Sequence, residues 1–146
     1  MILELTPNTH PILHERVKPC SKDLDRPEMS RILKENMIHY EGVGLSANQI
    51  GIGERVFIMM LNMETEETIT CFNPRIIKRY DDNVWCEEGC LSFPDEIINV
   101  ERPDRIVIKY EDEDKKDHKI NLSGMAARVF LHEFDHLEGI VFTERQ

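Results

Sequence analysis

The chain has 146 residues, with 18 Lys and Arg against 28 Asp and Glu, a formal charge of −10 with its six histidines neutral. That length implies one domain spanning residues 1–146, and its 40% apolar content is enough to bury roughly two-thirds of the extended surface without a disulfide or metal staple. The acidity makes phosphate backbones and anionic lipid poor partners, and the longest strongly apolar run, Val56 to Leu61, falls far short of the roughly 20 residues a membrane-spanning helix needs.

Met1 to Pro7 has neither a basic region nor a sustained apolar stretch, so it does not read as a secretory signal and a cytoplasmic address is expected. In that compartment Cys20, Cys71, Cys86 and Cys90 are free thiols or metal ligands rather than disulfides, with Cys20 and Cys71 read as inert filler. Residues 1–23, carrying Pro7, Pro11 and Pro19, suggest an extended arm laid over the domain. From Pro27 the positions Met29, Ile32, Leu33, Met37 and Tyr40 keep helical spacing, with Gly42 and Gly44 as the stop. Arg55–Leu61 reads as a buried strand and Thr70–Tyr80 as a second one interrupted by Pro74, followed by a turn at residues 81–83. Ile97–Glu101 and Arg105–Tyr110 read as further strands, the latter with Ile106, Ile108 and Tyr110 on one face. Glu111–Asp117 is a charged hairpin tip returning through Ile120 and Leu122. Ser123 is placed to cap a last helix, whose Met125, Ala126, Val129, Phe130 and Phe134 repeat every 3.6 residues up to Leu137, with Gly139 ending it. The class is α+β, strands preceding one terminal helix.

The chemistry sits on that helix. In His132-Glu133-Phe134-Asp135-His136 the two histidines lie about 40° apart and one turn along, so both imidazoles can converge on one cation, with Glu133 beside them as a general base. A catalytic site of this kind wants a third protein ligand and an open position. Only ten residues follow His136, and Phe142 stands where the other common protease pattern has histidine. The ligand must therefore lie upstream. His10, His14 and His118 sit in the loose arm and beside the charged hairpin; Cys90 is the better candidate, because Gly89 lets the chain pack closely around a metal. Two other readings stand beside this one. A small metallopeptidase would follow from the helix motif alone, and a closed structural site of Cys86, Cys90, His132 and His136 would leave no room for substrate. Against the closed site, it has no use for Glu133, and the separation of its halves far exceeds the usual finger spacing.

Gly42-Val43-Gly44-Leu45-Ser46-Ala47-Asn48-Gln49 is a second element of interest. Paired glycines after a helix are most often a cap and turn, and no Gly-Lys-Ser/Thr follows to make a phosphate loop. The side-chain amide of Gln49 gives the segment a donor to direct into a pocket.

Taken together, Gly42 to Gln49, then Glu88-Gly89-Cys90-Leu91-Ser92, then His132 to Gly139 closely resemble the three ordered motifs of peptide deformylases, and Pro11-Ile12-Leu13, Asn73-Pro74 and Trp85 extend the likeness over most of the chain. The resemblance implies antiparallel sheets packed around a central helix bearing the His-Glu-x-x-His motif, and removal of the formyl group from the N-terminal formylmethionine of nascent chains. It also implies one divalent ion on Cys90, His132 and His136, with Fe2+ native and Zn2+, Ni2+ or Co2+ as replacements. Glu133 would act as acid and base, Gln49 and the Leu91 N–H as oxyanion donors. Val43, Gly44, Glu88, Met125, Val129 and His132 would receive the extended peptide and its methionine. The implied partners are formylmethionyl peptides met by a cytoplasmic monomer. Two departures stand out: Ser46 replaces the usual alanine, a small change expected to be harmless, and Leu131 replaces glutamine, removing a hydrogen bond that would support the site. The sequence is similar to short family members, virus-encoded ones included, that lack a C-terminal helix, so ribosome contact through such a helix is not expected.

Overall fold

A computed structural model describes all 146 residues. The first helix, α1 (Arg26–His39), starts where Asp25 accepts a hydrogen bond from the Glu28 N–H at 3.1 Å, with Pro27 in the first turn. Met29, Leu33 and Met37, four apart, are buried beneath it. The helix is stopped one residue before the glycines: Glu41 takes the left-handed conformation (φ 58°), and Gly42 N–H returns to the Met37 carbonyl at 3.0 Å.

The segment after it is not a turn alone. Gly44–Ser46 forms a short edge strand, β1, antiparallel to β2 (Val56–Asn62), and Ala47–Ile50 makes a 3-10 turn between them. The sheet continues through β3 (Glu67–Arg79), β6 (Arg105–Glu111) and β7 (Asp117–Ser123) in the order β1-β2-β3-β6-β7, every pairing antiparallel. Pro74 does not interrupt β3. The strand runs through it on a bulge, with Asn73 at φ 48° absorbing the irregularity. Between β3 and β6 the chain makes a separate two-stranded sheet of β4 (Asn83–Cys90) and β5 (Phe93–Pro103). Cys86 and Cys90 therefore sit four residues apart on one strand.

The helix α2 (Gly124–Leu137) packs against the large sheet and against β5. Its apolar face, with Ala127, Val129, Phe130, Leu131 and Leu137, closes on Phe57, Met59, Cys71, Ile106, Ile108, Tyr110 and Leu122. A second core lies between α1 and the opposite face of the sheet around Leu45, Val56, Ile58 and Phe72. The architecture is α+β with antiparallel sheets around the helix of the His-Glu-x-x-His motif. Ser123 is the N-cap residue, but its side chain makes no capping bond; Gly124 at φ 60° begins the helix instead. Gly139 (φ 75°) does end it, and a Cβ there would stand 2.7 Å from the Glu15 backbone, so the arm is seated against the helix terminus.

Candidate metal centre

Three elements converge: the β1 edge, the end of β4, and α2. Cys90 Sγ, one nitrogen of His132 and one of His136 lie within 4.8 Å of one another. Cys90 Sγ and His136 Nε2 are 3.4 Å apart; bonds of about 2.3 and 2.1 Å to a tetrahedral ion would put such a pair about 3.6 Å apart. The two imidazoles meet edge to face at 5.1 Å. His132 Nδ1 faces Glu88 Oε1 at 3.0 Å, which leaves Nε2 for the centre.

The electrostatics fit a cation. Burial disfavours charge on His132, yet the Cys90 sulfur and the Glu88 carboxylate outweigh it and carry that imidazole up to about 10. Burial, with the neighbouring His132, pushes His136 well below its ordinary value, so it is neutral with a lone pair to give. His136 Nδ1 is buried without a partner. Two imidazoles and a thiolate suit Zn2+ or Fe2+. Cys86 is not part of the cluster, so the closed four-ligand arrangement is not built.

Glu133 is 4% exposed, and Oε1 is buried with no hydrogen-bond partner. Burial drives its carboxyl up to about 7 against the pull of His132 and Arg102. Gly44 makes its placement possible: a Cβ on that residue would stand 2.8 Å from Glu133 Oε2 and 3.0 Å from its Cγ. The glycine singled out from the sequence for close packing, Gly89, would meet nothing within 4 Å. Close approach is required at Gly44, and also at Gly42, whose Cβ would strike Leu91 at 2.8 Å.

Gln49, 2% exposed, has its amide fixed. Its Oε1 accepts from the Ser46 N–H at 3.0 Å and lies 3.1 Å from the Ser46 hydroxyl, while Nε2 donates to Ser92 Oγ at 3.0 Å and lies 3.8 Å from Cys90 Sγ. Asn48 Nδ2 donates to the His136 carbonyl at 2.7 Å, tying this turn to α2. A cleft of about 680 Å³ opens over the centre, lined by Val43, Gly44, Gln49, Glu88, Cys90, Leu91, Met125, Val129, His132 and Glu133 among others. Val129 is buried at its floor, Val43 and Met125 exposed at its mouth.

Glu88 lines this cleft, but not as part of an apolar wall. Burial raises its pKa, and hydrogen bonds from His132 and Arg102 more than reverse this, holding it down at about 2. Arg102 Nε and Nη2 donate to its two oxygens at 2.6 and 3.0 Å, and Arg128 Nη1 donates to Oε2 at 2.6 Å. Arg102, Arg128, Ser92 and Asp135 were not singled out from the sequence. Arg128, His132 and Asp135 share one stripe of α2, but it lies apart from the apolar positions and reads in sequence as a solvent face; the fold buries it, and buried charge requires partners. Leu131 lies in the core between α2 and the sheet, not at the centre.

The family model described as polypeptide deformylase matches residues 2–146. The chain belongs to the polypeptide deformylase family. It is 40% identical over 136 residues to the peptide deformylase of Thermotoga maritima, an alignment covering 92% of this chain and 81% of that one. Two solved structures are similar to it throughout. A probable peptide deformylase from Synechococcus phage S-SSM7 has a TM-score of 0.89 at 34% identity, covering 99% of each chain. The class I type b peptide deformylase of Acinetobacter baumannii bound to Met-Ala-Ser has a TM-score of 0.91 at 30% identity, covering 100% of this chain and 99% of that one. This chain is a metal-dependent hydrolase that takes the formyl group from the N-terminal formylmethionine of nascent polypeptides. No helix is long and apolar enough to cross a membrane.

Proposed function

We propose that Cys90, His132 and His136 hold one divalent ion, Fe2+ in its native form, and that Glu133, Gln49 and the Leu91 N–H carry out deformylation beside it. The observation that carries this reading is that Glu133, whose buried Oε1 has no partner, lines the same cleft as Cys90 and His132, which converge with His136. The ion, when bound, supplies Lewis-acid polarisation of water and of the formyl group. Glu133 takes the proton from the attacking water, and its burial makes it basic enough to hold that proton near neutrality. As water oxygen bonds to the formyl carbon, negative charge grows on the formyl oxygen. Gln49 Nε2, with its carbonyl end fixed by Ser46, and the backbone N–H of Leu91 are the donors for that charge. Glu133 then gives its proton to the departing nitrogen as the carbon–nitrogen bond breaks, leaving formate and a free amine.

The peptide lies extended between the β1 edge at Gly44 and the end of β4, bonding through its main chain, so residues after methionine vary freely. Val43, Met125 and Val129 are the apolar contacts for the methionine side chain. Glu88 acts from behind, orienting His132 through Nδ1. A structure of the related Acinetobacter enzyme bound to Met-Ala-Ser, a tripeptide that begins with methionine, supports this substrate class. The reading has the protein act in the cytoplasm as a monomer. Glu133→Gln tests the mechanism: formate release from formyl-Met-Ala-Ser should fall about 100- to 10,000-fold with one metal per chain retained. Full activity in that variant refutes the role of Glu133; loss of metal from Cys90→Ala, His132→Ala and His136→Ala tests the ligand set.

A further inference from the structure

The 3-10 turn Phe142–Arg145 folds back onto the half of α2 that carries the two histidines, and deformylation as derived above makes no use of it. Two contacts of different chemistry leave this turn. Phe142 is 1% exposed and packs with Cys90, Ile98 and Val100. Its ring meets that of His132 edge to face, with centroids 5.7 Å apart and an angle of 67°. Arg145 forks onto Asp135, with Nε to Oδ2 at 3.1 Å and Nη2 to Oδ1 at 2.9 Å. Asp135 Oδ2 also accepts from Arg102 Nη1 at 2.9 Å, and the other donors of Arg102 hold Glu88. Glu88 Oε1 in turn meets His132 Nδ1. One continuous series of charge-assisted hydrogen bonds therefore runs from Arg145 through Asp135, Arg102 and Glu88 to the imidazole.

We infer that this turn is a metal-retention clamp: Arg145 is a positioning residue that acts on His132 through Asp135, Arg102 and Glu88, and Phe142 presses on the same ring from its side. The inference rests on reading Cys90, His132 and His136 as the ligands. An imidazole leaves an ion by swinging about its side-chain bonds, and both contacts oppose that swing, one at Nδ1 and one at the ring edge. Without Arg145, Asp135 keeps a single cation partner, and Arg102 is drawn toward Asp135 and away from Glu88. The forked geometry matters because a lysine would keep the charge but offer a point contact in place of two parallel bonds. Arg145 has 42% of its side chain exposed, so it can be replaced without opening a cavity.

The test loads the full chain and its Arg145→Ala, Arg145→Lys and Asp135→Asn variants with Zn2+ and follows release to an excess of a chromogenic chelator. Groups that directly orient a ligand are worth about 10- to 100-fold in metal affinity; Arg145 stands further out, so Arg145→Ala should release metal about 3- to 10-fold faster, with Arg145→Lys between it and the parent. In the Asp135→Asn background, removing Arg145 should change release no further, and the metal-free Arg145→Ala chain should melt with the metal-free parent. Equal release rates in Arg145→Ala and parent overturn the inference, and so does an undiminished effect of Arg145→Ala in the Asp135→Asn background. A parent chain that binds no zinc, or a Cys90→Ala variant that binds it as tightly, sinks the ligand assignment instead.

Discussion

Gly44→Ala perturbs the candidate base by sterics alone. Gly44 is not in the left-handed region, so alanine can adopt its backbone without strain, and the effect comes from the added methyl. That methyl would stand 2.8 Å from Glu133 Oε2, with Cγ and Cδ at 3.0 and 3.1 Å, where ordinary contact begins at 3.4 Å. The carboxylate must therefore retreat by about 0.6 Å. It can do so without breaking a bond at Oε1, which has none, so the fold should survive and the misplacement should appear in the chemistry. A displacement of about 1 Å at a reacting group costs about 100-fold, and about 0.6 Å should cost roughly 10- to 50-fold in kcat/KM on the same scale. The assay couples formate release from formyl-Met-Ala-Ser to formate dehydrogenase, with metal content and far-ultraviolet circular dichroism measured on the same preparation. Parental kcat/KM with one metal per chain would refute the claim that Gly44 is small in order to seat Glu133.

Other consequences are equally direct. Ser46→Ala restores the residue usual at this position and removes a buried hydroxyl lying 2.8 Å from Asn48 Oδ1 and 3.1 Å from Gln49 Oε1. Because the Ser46 N–H still holds Gln49, kcat should change less than about threefold, while the urea midpoint should fall by the equivalent of about 1 kcal/mol. Glu88 has a folded pKa near 2 against an ordinary 4.5, so as acid is added the unfolded chain takes up the proton first. The stability it contributes is complete above pH about 4.5 and is lost as pH falls toward 2; urea melts of the metal-free chain and of Glu88→Gln should differ most at neutral pH and converge in that window. Removing the metal with a chelator should abolish formate release yet leave a cooperative thermal transition, lowered in midpoint and restored by added metal, since two apolar cores do not involve the centre. Leu131→Gln should cost stability by burying an amide in the core of α2, measured as a lower urea midpoint, with the metal release rate unchanged.

Much of the centre was legible because it is periodic or local. The 3.6-residue repeat of Val129, Phe130 and Phe134 puts His132 and His136 on one helix face whatever surrounds them, and the alternation of Ile106, Ile108 and Tyr110 identifies a strand with one side in the core. The Gly42 to Gln49 segment was legible only as a motif: its short strand exists because β2 is beside it, and three residues of β1 hold no periodic signal of their own. The same is true of β4, where Val84 and Trp85 are followed by Glu87, Glu88 and Gly89 with no sustained alternation, and the segment becomes a strand through pairing with β5.

What the amino-acid order determined by itself is the helix that presents His132 and His136 with Glu133 between them, since residues four apart on a helix share a face in any fold, whereas the approach of Cys90 to that pair was decided in space. Only the tertiary structure decided how the remaining charges are used. Glu88, Arg102, Arg128, Asp135 and Arg145 come from β4, β5, α2 and the Phe142–Arg145 turn, and they find one another only in the folded chain. Which of two glycines leaves room for Glu133 was likewise decided by approach across space, because a missing side chain signals nothing until another atom occupies its place.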